Sequence, residues 1–213
     1  MPEGSPPSSP MKIGFWNVRG LNRPLKHNGV AHLIKNNHLC LLGILETKLA
    51  ASNIPKILSR SFLGWCKTNN FDTIAGRRIL VVWNPAVIDL HLEDISPQMI
   101  HCRATNKSSQ LSFYISFTYG LYFVVNRRRM WEKFTDLGQT LSMSWLIMGD
   151  FNSLGLLDAP TTGSYSHGIP TAKATPFGAS LIKSSTTMNG SRPACIAAPI
   201  STHQDASPTI LRV

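Results

Sequence analysis

Hydrophobic and polar residues follow two different periods between residues 11 and 152. Short apolar runs, typical of buried strands, are followed by stretches whose apolar positions recur every three or four residues, as in amphipathic helices. Because the two patterns take turns along the chain, the sequence predicts a mixed α/β or α+β domain built from packed layers.

Six segments carry the strand pattern and two carry the helical one. The predicted strands cover residues 12–16, 39–45, 79–83, 87–92, 111–119 and 145–148. The run at 39–45 is apolar throughout, so we expect it to be covered on both faces. Residues 111–119 alternate, with one face formed by Leu111, Phe113, Ile115, Phe117 and Tyr119. The helical stripes consist of Leu25, Val30, Leu33 and Ile34 within residues 23–37, and of Met130, Phe134, Leu137 and Leu141.

The composition changes after about residue 156. All five tryptophans precede residue 150, whereas the later sequence is rich in Ser, Thr, Pro and Ala and shows no sustained period. Such segments bury too little apolar surface to offset the ordering of their backbone, which costs about 1–2 kcal/mol per residue. We therefore expect a disordered N-terminus at 1–10, a folded domain at 11–158 and a disordered tail at 159–213.

Composition excludes several classes of protein. The chain has 213 residues, 43% of them hydrophobic, which is enough for a packed core. No apolar run approaches the roughly 20 residues that cross a bilayer, and the N-terminus lacks the pattern of a secretory signal. The four cysteines are widely separated, without a CxxC pair, which argues against a zinc module and a disulfide-linked partner. We expect an intracellular protein with no membrane partner.

The charge balance points to an acidic partner. The chain carries 21 Lys and Arg against 11 Asp and Glu, which gives a formal net charge of +10. Nucleic acid is the commonest partner of such a protein, but charge alone does not establish the interaction.

Polar side chains stand where several predicted strands end. They are Asn17, Glu46, Tyr119 and Asp150 at four strand ends, and Asn152 two residues beyond the last of them. Because a sheet fixes the backbone where its strands end, functional groups often gather in the loops that follow. The strand ends are therefore the first place to look for a site.

These residue types suit hydrolysis of a phosphodiester assisted by Mg²⁺, or by Mn²⁺. Mg²⁺ needs only one or two protein carboxylates, so Glu46 is a sufficient ligand. Asp150 supplies a carboxylate that can orient or deprotonate the attacking water. Asn17, Asn152 and Tyr119 supply donors for phosphate oxygens. Each residue also has a structural role open to it, as a turn former, a helix start or a core aromatic, and spacing alone does not decide between the two.

Six phrases occur in an order that resembles a known family. They are WNVRGLN (16–22), LLGILETKL (41–49), AGRRILVVWNP (75–85), FTYG (117–120), RRRMW (127–131) and WLIMGDFN (145–152). Together they resemble the endonuclease/exonuclease/phosphatase superfamily, and more closely the endonuclease domain of plant non-LTR (LINE-type) retrotransposons. The resemblance covers residues 11–152.

The resemblance implies a four-layer α/β sandwich of the deoxyribonuclease I-like type. It also implies Mg²⁺-dependent cleavage of DNA, in retrotransposons the nick that primes reverse transcription. By this likeness Glu46 is the metal ligand, with Asn17 beside it. Asp150 aligns the water, Asn152 contacts the phosphate, and Tyr119 lies near the scissile phosphate.

The chain departs from the family's pattern after residue 120. Tyr122 stands where members carry Asn, and a later Asp and a closing Ser-Asp-His are absent, since His167 and His203 lack the preceding Asp. LGLLDAPTTGSYS (154–166) follows Asn152 almost directly, which suggests a deletion or a mis-spliced join. We therefore expect a sandwich incomplete in its C-terminal half, with residues 111–117 poorly covered, and marginal folding.

Basic residues flank the predicted site. Those predicted to contact the DNA backbone are Arg19, Arg23, Lys48, Arg127 and Arg128, with a solvated helix face as the alternative for the last two. The sequence thus predicts a degenerate retrotransposon-type endonuclease in the nucleus, with weak or absent nicking. The alternatives are a non-catalytic basic nucleic-acid-binding protein, a relic without a role, and a phosphatase of the same superfamily.

Overall fold

The computed structural model describes residues 11–73, 79–152, 195–199 and 209–213. The strands are β1 (Lys12–Asn17), β2 (Leu41–Leu45), β3 (Cys66–Asn69), β4 (Ile79–Trp83), β5 (Ile88–Ser96), β6 (Met99–Asn106), β7 (Ser112–Tyr119), β8 (Trp145–Asp150), β9 (Cys195–Pro199) and β10 (Thr209–Arg212). The helices are α1 (Pro24–Asn37), α2 (Ile54–Ser61) and α3 (Val124–Thr140), with a short 3₁₀ turn at Ala51–Asn53.

The strands form two five-stranded sheets. The first sheet has the order β10-β1-β2-β4-β3, and the second has the order β5-β6-β7-β8-β9. Each sheet contains a parallel pair bridged by a helix: α1 connects β1 to β2, and α3 connects β7 to β8. Since both strands of such a pair end at the same edge, β1 and β2 end together, and so do β7 and β8.

Four layers result from the way these elements bury their apolar faces. The two sheets face each other across the main core, to which β1, β2, β4, β6, β7 and β8 all contribute. Helices α1 and α2 cover the outer face of the first sheet. Helix α3 covers the outer face of the second sheet. The predicted four-layer sandwich is confirmed.

Strand β2 lies within the apolar run 39–45 and is covered on both faces, as the sequence predicted. Leu41 and Leu45 face the second sheet, whereas Leu42 and Ile44 face the outer helices, so every residue of the strand is buried. Gly43, at the centre, lies against the Phe117 ring of β7, and a Cβ at this position would overlap that ring. The sheets approach closely here because the strand has no side chain at its midpoint.

The inner face of β7 is better covered than the sequence led us to expect. Phe113, Ile115 and Phe117 are buried against the first sheet, so the predicted loss of cover is wrong for these residues. Leu111 lies before the strand and is half exposed. Leu25 is 83% exposed, because the first turn of α1 lies outside the core, and it does not belong to the buried stripe.

The sequence did not predict α2, β3 and β6. Strand β3 is short, polar and at a sheet edge, and β6 mixes Arg, Thr and His with apolar residues, so neither shows a clear apolar run. The turn at Asn84-Pro85 connects β4 to β5, which belong to different sheets.

The described parts of the C-terminal region differ from the disordered tail predicted at 159–213. Strand β9 pairs in parallel with β8, and β10 pairs antiparallel with β1, so both extend the sheets. Hydrogen bonds between Met11 and Val213, 3.0 and 2.8 Å long, continue the β1–β10 ladder. Residues 1–10, the segment 154–166, His167 and His203 lie outside the described residues.

Cys40, Cys66 and Cys102 are free thiols. Cys40 and Cys102 are buried, and burial raises the pKa of the Cys102 thiol to about 12. This pKa keeps Cys102 protonated and makes it a core residue rather than a nucleophile. In the ranges that the structure covers, no helix is long and apolar enough to cross a membrane.

His101 occupies a polar pocket beneath α3. Its Nδ1 lies 2.8 Å from the Ser116 hydroxyl, which also accepts a 2.9 Å hydrogen bond from the Trp145 indole. The imidazole is 1% exposed and stacks on Tyr114. Burial lowers the pKa of His101 below its usual 6.5, with partial opposition from Asp94 and Glu93 and a lowering contribution from Lys133.

The lowered pKa of His101 predicts an acid-sensitive fold. Above pH 6.5 the residue is neutral in both states, whereas below it the unfolded chain takes up a proton that the folded chain resists. The free energy of unfolding should therefore fall as the pH drops below 6.5. Urea midpoints at pH 7.5 and 5.5 measure this loss, which His101→Gln should reduce. The exposed His91→Gln is the control, and an equal effect of both changes would contradict the prediction.

Candidate active site

The five predicted site residues meet at one edge of the sandwich. Asn17 ends β1 and Glu46 directly follows β2, both in the first sheet. Tyr119 ends β7, Asp150 ends β8 and Asn152 follows, all from the second sheet. The carboxyl ends of the two helix-bridged parallel pairs, β1–β2 and β7–β8, thus meet at one place, one pair from each sheet.

A hydrogen bond between Asn17 and Asp150 joins the two sheets. The Asn17 amide donates to Asp150 Oδ2 at 2.9 Å, and each residue is 4% exposed. Backbone N–H groups fix both side chains from their far ends, since Arg19 donates to Asn17 Oδ1 at 3.1 Å and Asn152 donates to Asp150 Oδ1 at 3.0 Å. The carboxylate is therefore held in one orientation.

Glu46 is held by two donors. The Tyr119 hydroxyl donates to Glu46 Oε1, and the Lys48 ammonium lies 3.5 Å from Oε2. The side chain of Glu46 is 14% exposed, so it is covered but still accessible. The Tyr119 contact again connects a residue of the second sheet to one of the first.

Asn152 ties β8 back to the end of β7. Its side-chain amide donates to the Gly120 carbonyl at 2.6 Å, while the Gly120 N–H donates to the Asp150 carbonyl at 2.7 Å. The Gly149 position needs glycine, because a Cβ there would overlap the Thr118 carbonyl oxygen. The phrase GDFN thus has a structural basis in the close approach of β7 and β8.

Several residues at the site have left-handed backbone conformations. Arg19, Glu46, Lys48 and Asn152 have φ values of 48°, 51°, 47° and 49°. Each costs about 1–2 kcal/mol in a residue with a side chain, and such strain concentrates at functional sites. The loops after β1 and β2 support each other here, since Gly20 N–H donates to the Glu46 carbonyl at 2.8 Å.

Burial raises the pKa of Asp150 above its usual 3.8. The nearby Glu46 carboxylate raises it further, whereas the Asn152 N–H, the Asn17 amide and Arg19 lower it. Two carboxylates thus repel each other in a poorly hydrated pocket. A bound cation would relieve that repulsion.

The donor set fits a hard divalent cation. Glu46 and Asp150 supply two carboxylates, and Mg²⁺ prefers oxygen ligands with only one or two carboxylates from the protein. Among the residues described, no group of three or more His, Cys, Asp and Glu side chains comes together to hold a metal. The two carboxylates, Glu46 and Asp150, are the residues that could hold a divalent cation at this site.

The predicted basic residues have different locations. Arg19, Arg23 and Lys48 are exposed on the loops that follow β1 and β2, and Arg128 is exposed on α3. Arg127 is 3% exposed, and its guanidinium donates to the carbonyls of Leu121 and Tyr122 at 2.8 and 2.6 Å. The predicted contact of Arg127 with DNA does not fit this buried position, and the residue holds the loop instead.

Gln98 is a buried polar residue near the site that the sequence analysis did not single out. It lies between β5 and β6 and is 6% exposed. Its side chain accepts from the Leu121 N–H and donates to the Asn126 carbonyl, both at 2.8 Å. No sequence signal marks this residue, because a glutamine between two strands normally faces solvent.

The likeness to a known family extends beyond short phrases. The sequence model of the Endonuclease/Exonuclease/phosphatase family matches residues 14–181. No curated protein matches the chain significantly. The matched range continues past Asn152, the last residue of the GDFN phrase.

Three solved structures illustrate the shared fold. Mannosyl-6-phosphatase Bt3783 of Bacteroides thetaiotaomicron VPI-5482 is 12% identical, with 67% of this chain and 65% of that chain covered and a TM-score of 0.53. Humanized D. rerio TDP2 is 14% identical, with 70% and 65% covered and a TM-score of 0.53. The endonuclease domain of TRAS1, a telomere-specific non-LTR retrotransposon, is 10% identical, with 68% and 61% covered and a TM-score of 0.52.

These structures share the fold of the chain, at identities too low to carry a substrate with them. The chain spans 61–65% of the length of these three structures. The family model, by contrast, covers most of the 213 residues and includes Asn17, Glu46, Tyr119, Asp150 and Asn152. The chain belongs to the endonuclease/exonuclease/phosphatase family.

Proposed function

We propose that this chain is a degenerate retrotransposon-type endonuclease domain that hydrolyses DNA phosphodiester bonds slowly with Mg²⁺, or with Mn²⁺ in its place. The observation that carries the proposal is the Asn17–Asp150 hydrogen bond, which fixes a buried carboxylate beside Glu46 at the end of four strands. The wording of residues 16–22, 41–49 and 145–152, which resembles retrotransposon endonucleases, and the net charge of +10 support the choice of a phosphodiester in DNA.

Each residue has a defined part in the proposed reaction. Glu46 would hold the metal with Asn17 beside it, and the bound ion would polarise the phosphate and stabilise negative charge. Asp150, oriented by two N–H donors, aligns the attacking water and accepts its proton. Asn152 and Tyr119 offer an amide and a hydroxyl to phosphate oxygens when the substrate displaces their present partners.

The slow rate is an inference from the sequence. No Ser-Asp-His occurs in these 213 residues, and the family resemblance places the histidine of that motif on the phosphate. The loss of one group that stabilises transition-state charge lowers the rate by about 10²–10³. The retained residues still position water and metal, which leaves a measurable activity above the uncatalysed reaction.

Nicking of supercoiled plasmid tests the proposal. The purified protein should convert plasmid to open circles with Mg²⁺, and the activity should vanish with EDTA and in a Glu46→Ala, Asp150→Ala double variant. A matched Asp89→Ala, Glu93→Ala variant removes two exposed carboxylates of β5 and should keep the activity. Equal nicking by all samples would mean that a contaminant cuts the DNA and would overturn the proposal.

A non-catalytic nucleic-acid-binding protein is the second candidate, favoured by the net charge of +10 and by exposed Arg19, Arg23 and Lys48. It predicts salt-sensitive DNA binding that does not depend on metal and is not followed by nicking. A phosphatase would instead release phosphate from a phosphomonoester, and a relic would neither bind nor cut. For an enzyme acting on DNA we propose the nucleus, which imaging of a tagged chain would test.

A further inference from the structure

Two aromatic rings project into solvent next to the candidate active site. Tyr122 is 82% exposed and Phe123 is 64% exposed, in the loop between β7 and α3. Their ring centroids lie 5.5 Å apart at an interplanar angle of 85°, so the edge of one ring faces the plane of the other. Val125, in the first turn of α3, is 68% exposed.

Buried polar groups hold the backbone beneath these rings. Gln98 bonds to Leu121 and Asn126 on either side of them, and Arg127 donates to the carbonyls of Leu121 and Tyr122. Gln98 and Arg127 are 6% and 3% exposed. The rings are thus presented from a loop that is fixed before any partner arrives, which reduces the entropy lost on binding.

The same loop is connected to the proposed catalytic carboxylate. Gly120 N–H donates to the Asp150 carbonyl, and the Gly120 carbonyl accepts from Asn152. Tyr122 and Phe123 follow two and three residues later, a span of at most about 10 Å along the chain. A nucleotide next to a phosphate at Asp150 therefore lies within reach of the rings.

We propose that Tyr122 and Phe123 form a stacking platform for an unpaired base beside the scissile phosphate. This inference rests on the proposed function and specifies its substrate class: DNA that is single-stranded, frayed or locally melted at the cut. Bases inside a duplex have both faces covered by their neighbours, whereas a splayed base offers a face to an aromatic ring. Exposed Arg128 and Arg129 on the adjoining helix match the phosphates of such a strand.

Fluorescence anisotropy in EDTA, where no cutting occurs, tests the platform. The probes are a single-stranded oligonucleotide, the same strand in a duplex, and a single strand with several abasic positions. Removing a stacked ring weakens binding by about 5- to 100-fold. The double variant Tyr122→Ala, Phe123→Ala should therefore weaken single-strand binding within this range and change duplex binding less than about twofold. Its affinities for the intact and the abasic single strand should be equal.

Two further variants serve as controls for the ring substitutions. Leu25→Ala, Leu63→Ala removes two exposed apolar residues outside the loop and should leave all three affinities unchanged. Tyr122→Trp keeps a ring and should keep the preference for the single strand. Equal weakening on the single strand and the duplex, or none on the single strand, would overturn the platform.

The plasmid assay separates this inference from the proposed function. If the wild-type protein nicks with Mg²⁺ and the Tyr122→Ala, Phe123→Ala variant binds single strands as tightly as the wild type, the platform is wrong and the proposed function stands. If single-strand binding depends on the rings but no metal-dependent nicking occurs, the proposed function fails and only a binding platform remains.

Discussion

Replacing Asp150 with asparagine should reduce metal-dependent nicking by about 10²–10⁴-fold, the range expected when a positioned general base is lost. The structure adds a second reason. Asp150 accepts hydrogen bonds from Asn17 and from the Asn152 N–H, one on each carboxylate oxygen. An asparagine has one acceptor oxygen, so one of these donors must face an amide NH₂. Plasmid nicking rates with Mg²⁺, compared with the wild type at equal protein concentration, measure the effect.

A charge-swapped variant distinguishes loss of chemistry from loss of structure. Asn17→Asp with Asp150→Asn restores an amide–carboxylate pair across the sheets, with the carboxylate on β1 instead of β8. This variant should recover thermal stability toward the wild-type value but not nicking. Wild-type nicking by the swapped protein would show that the position of the carboxylate does not matter. Asn17→Asp alone should be the least stable, because it buries two carboxylates in contact beside Glu46.

The elements that the sequence predicted best are those buried on both faces. Strands β2 and β8 are apolar runs because a sheet covered by a second sheet and by a helix has no solvent side. Strand β3 is polar and lies at an edge, so its sequence resembles that of a loop. Strand β10 could not be predicted from local pattern, since it is defined by pairing with β1 at the other end of the chain.

The individual site residues could be predicted from the sequence, but their arrangement in space could not. Position at a strand end singled out Asn17, Glu46 and Asp150, because that rule needs only the local pattern. Nothing local says that β1–β2 and β7–β8 belong to different sheets whose ends meet. The same limit applies to Arg127, which lies within a run of three arginines that resembles an exposed face but is buried in the fold.

The contact between Gly43 and Phe117 carries the largest expected effect on stability. A Cβ at Gly43 would overlap the Phe117 ring, which is fully buried between the sheets. Gly43→Ala should lower the free energy of unfolding by about 1–3 kcal/mol through overpacking. Phe117→Ala should lower it by about 3–5 kcal/mol through the cavity left behind. Since small domains have about 5–15 kcal/mol in total, Phe117→Ala brings the fold close to its limit.

Because both changes act on the same space, their effects should not add. The Gly43→Ala methyl occupies part of the cavity that Phe117→Ala creates, so the double variant should be more stable than the sum predicts, by about 0.5–3 kcal/mol. Urea unfolding of the four proteins measures this coupling. Gly138→Ala in α3 is the control, since its Cβ would meet only Trp145 at 3.9 Å and helix propensity favours it. Strict additivity, or a Gly43→Ala variant as stable as Gly138→Ala, would show that the sheets do not meet at this contact.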